Sequence, residues 1–270
     1  MQEGERANAA EALLRWYVDA GVDEAVATAP VNQFERRAEE CEPQSPRPAP
    51  PRAQPAPIAI ITPSAQPSVD EAASLAAEMA RGCASFEELK AAVEAFTACP
   101  LKAGARNTCF ADGIAGAALL VIGEAPGRDE DAIGKPFVGR AGQLLDKMLA
   151  AIGRSRAADT LISNVVYWRP PGNRAPTQSE IAICRPFVER LIELTAPRAV
   201  MLAGGVPTQA LIGAAGIMRA RGQWREIRLG SGLSVPALPI FHPAFLLRQP
   251  SQKRLAWADL QTLAARLRED

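Results

Sequence analysis

Four short apolar runs punctuate the later part of the chain, at residues 117–122, 160–166, 198–203 and 235–241. Each is rich in Val, Ile or Leu and lacks the polar alternation of a half-solvated strand, the pattern of strands covered on both faces. Between and after them, apolar positions recur at helical spacing over 141–152, 178–194, 207–212 and 252–268. Strand–helix–strand alternation predicts an α/β fold, a three-layer α/β/α sandwich around a central four-stranded parallel sheet. In such sheets ligands gather beyond the carboxyl ends of the strands, which turns the fold into a list of candidate residues.

The first quarter of the chain follows a different pattern. Leu13, Leu14, Tyr17, Val18 and Val22 form a helical stripe, and residues 43–67 carry nine of the 23 prolines. So proline-rich a stretch cannot bury a core and suits an extended, semi-rigid spacer. The expected organisation is an acidic helical segment at 1–42, a linker at 43–68 and a folded domain at 69–270. The early helix would either dock on that domain or hold a protein partner.

Composition adds exclusions. The 270 residues, 48% apolar and 22% charged, match an ordinary globular protein. No apolar run is long enough for a membrane span, and the opening MQEGERANAA has no signal-peptide character. Five scattered cysteines argue for a reducing compartment, and the expectation is a cytoplasmic protein. His242 is the only histidine, which excludes HExxH metal sites and paired-histidine relays. Net charge is zero, yet residues 1–46 hold ten acidic and four basic side chains, whereas 165–254 hold twelve basic and four acidic ones. That asymmetry suits either solvated helix faces or a later half turned toward a polyanion.

Chemistry collects at the strand ends. Gly123-Glu124-Ala125-Pro126-Gly127 follows the first run, Asn164 lies near the end of the second, Gly204-Gly205 follows the third, and Phe241-His242-Pro243 closes the fourth. Taken singly, each has an ordinary reading: a tight turn, a loop-stitching amide, a helix start, a structural histidine. Together, a carboxylate, an amide, a glycine pair and the sole imidazole on one sheet edge define a candidate site.

At these residues the chain resembles the uracil-DNA glycosylase superfamily, and within it the family-four type. GEAPGRDEDAIGKPFVGRAGQLLDKML (123–149) is similar to the family's first motif, SNVVYWRPPGNR (163–174) to its asparagine motif, and HPAFLLR (242–248) to its histidine-containing DNA-insertion loop. The similarity runs from about Ser85 to Leu267. It implies a monofunctional DNA glycosylase of base-excision repair, acting on uracil in single- or double-stranded DNA as a nucleoid-associated monomer. The target nucleotide would have to be flipped out of the stack. By resemblance, Phe137 stacks on the extruded base and Asn164 reads its Watson–Crick edge. His242 donates a hydrogen bond to uracil O2, with Gly123, Ala125, Gly127 and Asp131 along the substrate; Glu124 is the nearest carboxylate to hold the attacking water, and the backbone groups of 124–127 are the alternative. Ala125 stands where better-known relatives carry a water-positioning aspartate. Phe245, Leu246 and Leu247 would wedge into the vacated stack. Arg248 would grip phosphate, with Arg169 and Arg174 as looser candidates.

The chain departs from the resemblance in two places. Family-four enzymes typically hold a four-iron cluster on four cysteines. Here Cys99 and Cys184 match, but the other two positions are Phe96 and Trp168, and Cys83 and Cys109 are off register. Two thiolates do not make the four-ligand set, so no metal, no cluster and no other cofactor is expected, with aromatic packing in its place. The stretch 169–176 also lacks the histidine with which covalent relatives trap DNA. Rival readings are a damaged-DNA or abasic-site binder without efficient hydrolysis, and an esterase-like α/β hydrolase, which the absence of a GxSxG elbow disfavours. Gly127 stands where some relatives block the thymine methyl with tyrosine, which leaves the base range open.

Overall fold

The computed structural model describes residues 67–268. The expected helical segment at 1–42 and nearly all of the linker at 43–68 lie outside them. The described part opens with α1 (Val69–Gly82) and α2 (Phe86–Ala95), and its single sheet has six strands: β1 (Ala111–Gly113), β2 (Leu119–Gly123), β3 (Thr160–Asn164), β4 (Ala199–Ala203), β5 (Arg225–Arg228) and β6 (Ser234–Ile240). Their spatial order is β1-β3-β2-β4-β6-β5. The inner four are parallel, as expected, whereas β1 and β5 run antiparallel along the two edges. These edge strands escape an apolar-run reading: β1 is only Ala-Asp-Gly, and β5 alternates exposed Arg225, Glu226 and Arg228 around one buried residue, Ile227.

Alternation along the inner strands sorts their side chains to two faces. Leu120, Ile122, Leu161, Val200 and Leu202 meet α1, α2 and α5 (Gln178–Thr195). Leu119, Val121, Ile162, Met201 and Ile240 meet α4 (Arg140–Ala150) and α9 (Lys253–Arg268) through Leu145, Leu149, Leu260 and Leu263. Every residue of β2, β3 and β4 is buried, which confirms the double-sided cover that the unbroken apolar runs implied. The remaining helices are α3 (Arg128–Ile133), α6 (Gly205–Ile212), α7 (Ile217–Ala220) and α8 (Pro243–Arg248). Among the described residues, no helix is long and apolar enough to cross a membrane.

The start of α1 has a local cause. Ser68 Oγ accepts from the Glu71 amide at 3.3 Å, while the Ser68 amide donates to Glu71 Oε2 at 2.7 Å, a reciprocal cap that satisfies two end donors. Ala72, Ala76 and Ala80, all buried and four residues apart, then form a small-residue face packed into the core. Where the apolar run 160–166 predicts continuous strand, the sheet ends at Asn164. The Val165 and Val166 amides donate instead to the carbonyls of Gly123 and Glu124, stitching the loop after β2 to the end of β3. The connection leaving β2 leads to β3 on one side, and the chain leaving β4 goes on to β5 and β6 on the other. The crevice between β2 and β4 is therefore the topological switch point where ligands are expected.

Candidate active site

A cavity of about 540 Å³ opens at this switch point, lined by Glu124, Gly127, Glu130, Phe137, Asn164 and His242 among others, with Arg174 and Arg248 at its margin. A larger and shallower groove of about 810 Å³ runs between α5, α6 and β5 but holds none of the candidate residues. Chemistry, not size, marks the smaller one.

The floor is set by register. Gly123 and Asn164 are paired neighbours on β2 and β3. A Cβ on Gly123 would lie 2.4 Å from Phe137 Cε2 and 2.5 Å from Asn164 Oδ1. The missing side chain is thus what lets an aromatic ring and an amide meet. Asn164 is 1% exposed and its Oδ1 accepts no hydrogen bond. A buried carbonyl oxygen without a partner costs about 1–3 kcal/mol, so this acceptor is one that a ligand N–H would satisfy.

Phe137 is buried and has φ +54°, a left-handed conformation costing a residue with a side chain about 1–2 kcal/mol. Its ring stacks on the His242 imidazole at 5.6 Å and 30°. The turn is held from two sides. Glu130 Oε1 accepts from the Val138 and Gly139 amides at 3.0 and 2.9 Å, and its Oε2 accepts from the Gly127 amide at 3.1 Å. Glu130 thereby ties the glycine loop after β2 to the phenylalanine loop.

His242 caps α8, and its Nδ1 accepts from the Ala244 amide at 3.1 Å. Nδ1 therefore carries no proton, and Nε2–H is the free donor of the neutral ring. Burial and the nearby Arg248 guanidinium lower its pKa to about 4, against a small opposing pull from Glu130. The unfolded chain takes up this proton near pH 6.5 and the folded protein only near 4, so falling pH favours the unfolded state across that window. Wild-type protein is expected to lose about 1–3 kcal/mol more stability between pH 7 and 4.5 than His242→Gln, the partial exposure of the ring keeping the figure modest. Denaturant unfolding at the two pH values measures this, and equal losses would mean that the imidazole is not shielded.

Glu124 reaches the same cavity. Burial raises its pKa, and its carboxylate has no hydrogen-bond or ion-pair partner among the described residues. It contrasts with Glu130 and Asp131 in α3. Glu130 is fully engaged with backbone amides, and Asp131 is 5% exposed and accepts from the Arg106 and Asn107 amides at 2.8 and 3.3 Å. Asp131, expected along the substrate, instead anchors the loop before β1.

The expected DNA contacts divide similarly. Leu247 and Arg248 are exposed at the end of α8, and Phe245 is partly buried against Phe241 with ring centroids 4.9 Å apart. Leu246, expected as part of the wedge, is 1% exposed and packs in the core between the sheet, α4 and α9. Withdrawing it would forfeit about 1.5–3 kcal/mol of burial, and in this structure it holds α8 against the core. Arg174 donates both terminal nitrogens to Glu180 at 2.9 and 2.6 Å, and Arg169 donates to Asn173 Oδ1 at 2.7 Å. These two order the loop after β3, and of them only Arg174 lines the cavity.

Away from the cavity, Cys99 and Cys184 are both buried in the same part of the core. Phe96 and Trp168 stack at 6.3 Å, Phe187 meets Phe96 edge-on at 5.1 Å, and Trp168 Nε1 donates to Thr108 Oγ1 at 3.0 Å. Among the described residues, no group of three or more His, Cys, Asp or Glu side chains is placed to hold a metal ion. Two thiols beside close-packed rings do not fit a four-thiolate cluster.

Geometry of this kind, with a flat ring, an unsatisfied amide acceptor and a neutral imidazole donor around one strand-end cavity, has the chemistry to hold a planar polar heterocycle. Comparison with known proteins places it more narrowly. The family model of the uracil DNA glycosylase superfamily matches residues 110–261. Relatives named type-4 uracil-DNA glycosylase include that of Pyrobaculum aerophilum, 35% identical over 57% of this chain and 80% of its own. Those of Thermotoga maritima (35%, covering 63% and 88%) and Archaeoglobus fulgidus (37%, covering 54% and 75%) are similar. The chain belongs to the uracil-DNA glycosylase superfamily.

The part that sequence reasoning missed is Glu130. Its signal is an acidic residue three positions after Gly127, at a helix start, where a carboxylate can reach back to free amides. Pro170, Asn173 and Ala244 also line the cavity without having been expected there.

Proposed function

We propose that this protein hydrolyses the N-glycosidic bond of uracil in DNA, leaving an abasic site, and does so without an iron–sulfur cluster. The observation that carries the reading is the unpartnered, buried Asn164 Oδ1 facing the cavity that Phe137 and His242 also line. That oxygen accepts the N3–H of uracil, and the Asn164 amide nitrogen donates to O4. Cytosine presents the opposite groups at both positions. The ring of Phe137 offers the flipped base a stacking face.

Bond cleavage leaves negative charge on the base and an oxocarbenium-like sugar. His242, neutral and with its proton on Nε2, donates to O2 as that charge grows. Glu124, unengaged and lining the same cavity, is the carboxylate available to hold and polarise the water that attacks C1′. Leu247 would fill the vacated stack, and Arg248 at the rim would meet phosphate.

The test is a labelled oligonucleotide with a single uracil, treated with protein and then alkali. Cleavage confined to the uracil position supports the reading. An uncut strand together with tight binding to abasic DNA would favour a damage-binding protein instead. The cluster-free part rests on Phe96 and Trp168 standing at ligand positions as packed rings. Purified protein is expected to be colourless, with iron well below stoichiometric by elemental analysis. Four irons per chain would overturn that part alone.

A further inference from the structure

We propose that Arg156, which does not line the cavity, is a positioning residue for base recognition: its guanidinium holds the 136–137 turn in the shape that presents the Phe137 ring. The inference rests on the uracil reading above and extends it to a residue that no motif singled out.

Arg156 lies in the connection between α4 and β3. Its Nη2 donates to the Phe137 carbonyl at 2.7 Å and its Nη1 to the Pro136 carbonyl at 3.1 Å, so one planar fork spans two consecutive peptides. Two carboxylates from different elements orient that plane. Asp112 Oδ2 on β1 is 3.0 Å from Nη1, and Asp146 Oδ1 on α4 is 2.9 Å from Nε. Asp112 is itself held by Lys135 at 2.9 Å. Burial alone would raise the Asp112 pKa, but Lys135 and Arg156 outweigh it and keep the carboxyl below its usual range.

The turn needs such a hold. Phe137 is left-handed, and its carbonyl is pressed against the backbone of α4, where a Cβ on Gly142 would lie 1.8 Å from the Phe137 oxygen. Arg156 supplies hydrogen bonds on the carbonyl side of the turn and Glu130 takes up the amides that follow. A lysine cannot reproduce this, because a point-like ammonium lacks the flat fork that meets two carbonyls and two carboxylates at once.

Arg156→Lys is expected to lower kcat/KM on the uracil oligonucleotide by about 10–100-fold, as displacement of a substrate-orienting group does. In a Phe137→Ala background the same change should cost less than about threefold. Penalties that multiply independently would mean that Arg156 does not act through the ring, and would overturn the proposal. Asp112→Asn, which keeps the arginine but loosens its orientation, should give a smaller loss with the same dependence on Phe137; a loss undiminished in Phe137→Ala would count against it. A crystal structure of Arg156→Lys supplies the readout independent of activity. Phe137 is expected to leave the left-handed region with its ring displaced, and a ring unmoved at positive φ would refute the clamp. Wild-type protein inert on uracil would defeat the functional reading, while the crystallographic outcome would still decide the clamp.

Discussion

Replacement of His242 by alanine is expected to lower the turnover of a uracil-containing oligonucleotide by about 10²–10³-fold, the usual cost of deleting one preorganised donor to a developing anion. The Ala244 amide fixes Nδ1 as an acceptor, which leaves the proton on Nε2. Burial and Arg248 keep the ring neutral down to about pH 4, so the donor is present in one state throughout the physiological range. A neutral donor also matches a leaving base whose charge exists only as the bond breaks, since it gives little attraction to the ground state. The substitution removes the cap of α8 as well, which costs roughly 1 kcal/mol of stability. Single-turnover rates at saturating enzyme, read beside a thermal melt, separate the two effects. Undiminished turnover in a folded variant would remove His242 from the chemistry.

Gly123→Ala is expected to be as damaging, by about 10²-fold or more in kcat/KM, although it adds one methyl group to a residue that donates no side-chain contact. The new Cβ would stand 2.4 Å from the Phe137 ring and 2.5 Å from Asn164 Oδ1, and both must move. Misplacing a recognition group by about 1 Å can cost 10²-fold, and here two are displaced together. A control at another glycine sharpens the comparison: an added Cβ at Gly116 would meet no heavy atom within 4 Å, although φ +78° there brings backbone strain of its own. Gly116→Ala should lose some stability and no more than severalfold in rate. Wild-type kinetics for Gly123→Ala would show that the amide and the ring need not share that corner.

How much of this could be read without coordinates depends on how each residue signals. The inner strands were legible because burial on both faces removes polar alternation, and the one clear overrun, at Val165 and Val166, came from residues that stay buried after leaving the sheet. The helix α1 was not legible as a packing element, since its face is alanine, which carries too little side chain to register as an apolar stripe. Glu124, Phe137, Asn164 and His242 lie apart in sequence, yet the strand-end rule predicted one edge for the motifs around them, and they line one cavity. Asp131 and Leu246, both buried in the structure, show that burial within a short helix is not read from a motif. Successive helix residues point about 100° apart, so Glu130 and Asp131, or Leu246 and Leu247, cannot be sorted into inward and outward without the phase of a helix only six residues long. Arg156 was invisible for a different reason: the groups it would position are the backbone carbonyls of Pro136 and Phe137, and backbone atoms leave no trace in the alphabet of side chains.

The two edge strands have a bearing on solubility. An open parallel sheet exposes unpaired backbone groups on its flanks, the template on which aggregates grow. Here one flank is a three-residue strand and the other a four-residue strand with charged Arg225, Glu226 and Arg228 outward. Stubs this short offer little length for a second chain to pair with, and the charges oppose stacking. The same few residues that obscured the strand count in the sequence thus act as terminators, ending hydrogen-bonded growth at the sides while leaving the strand tips open for a ligand.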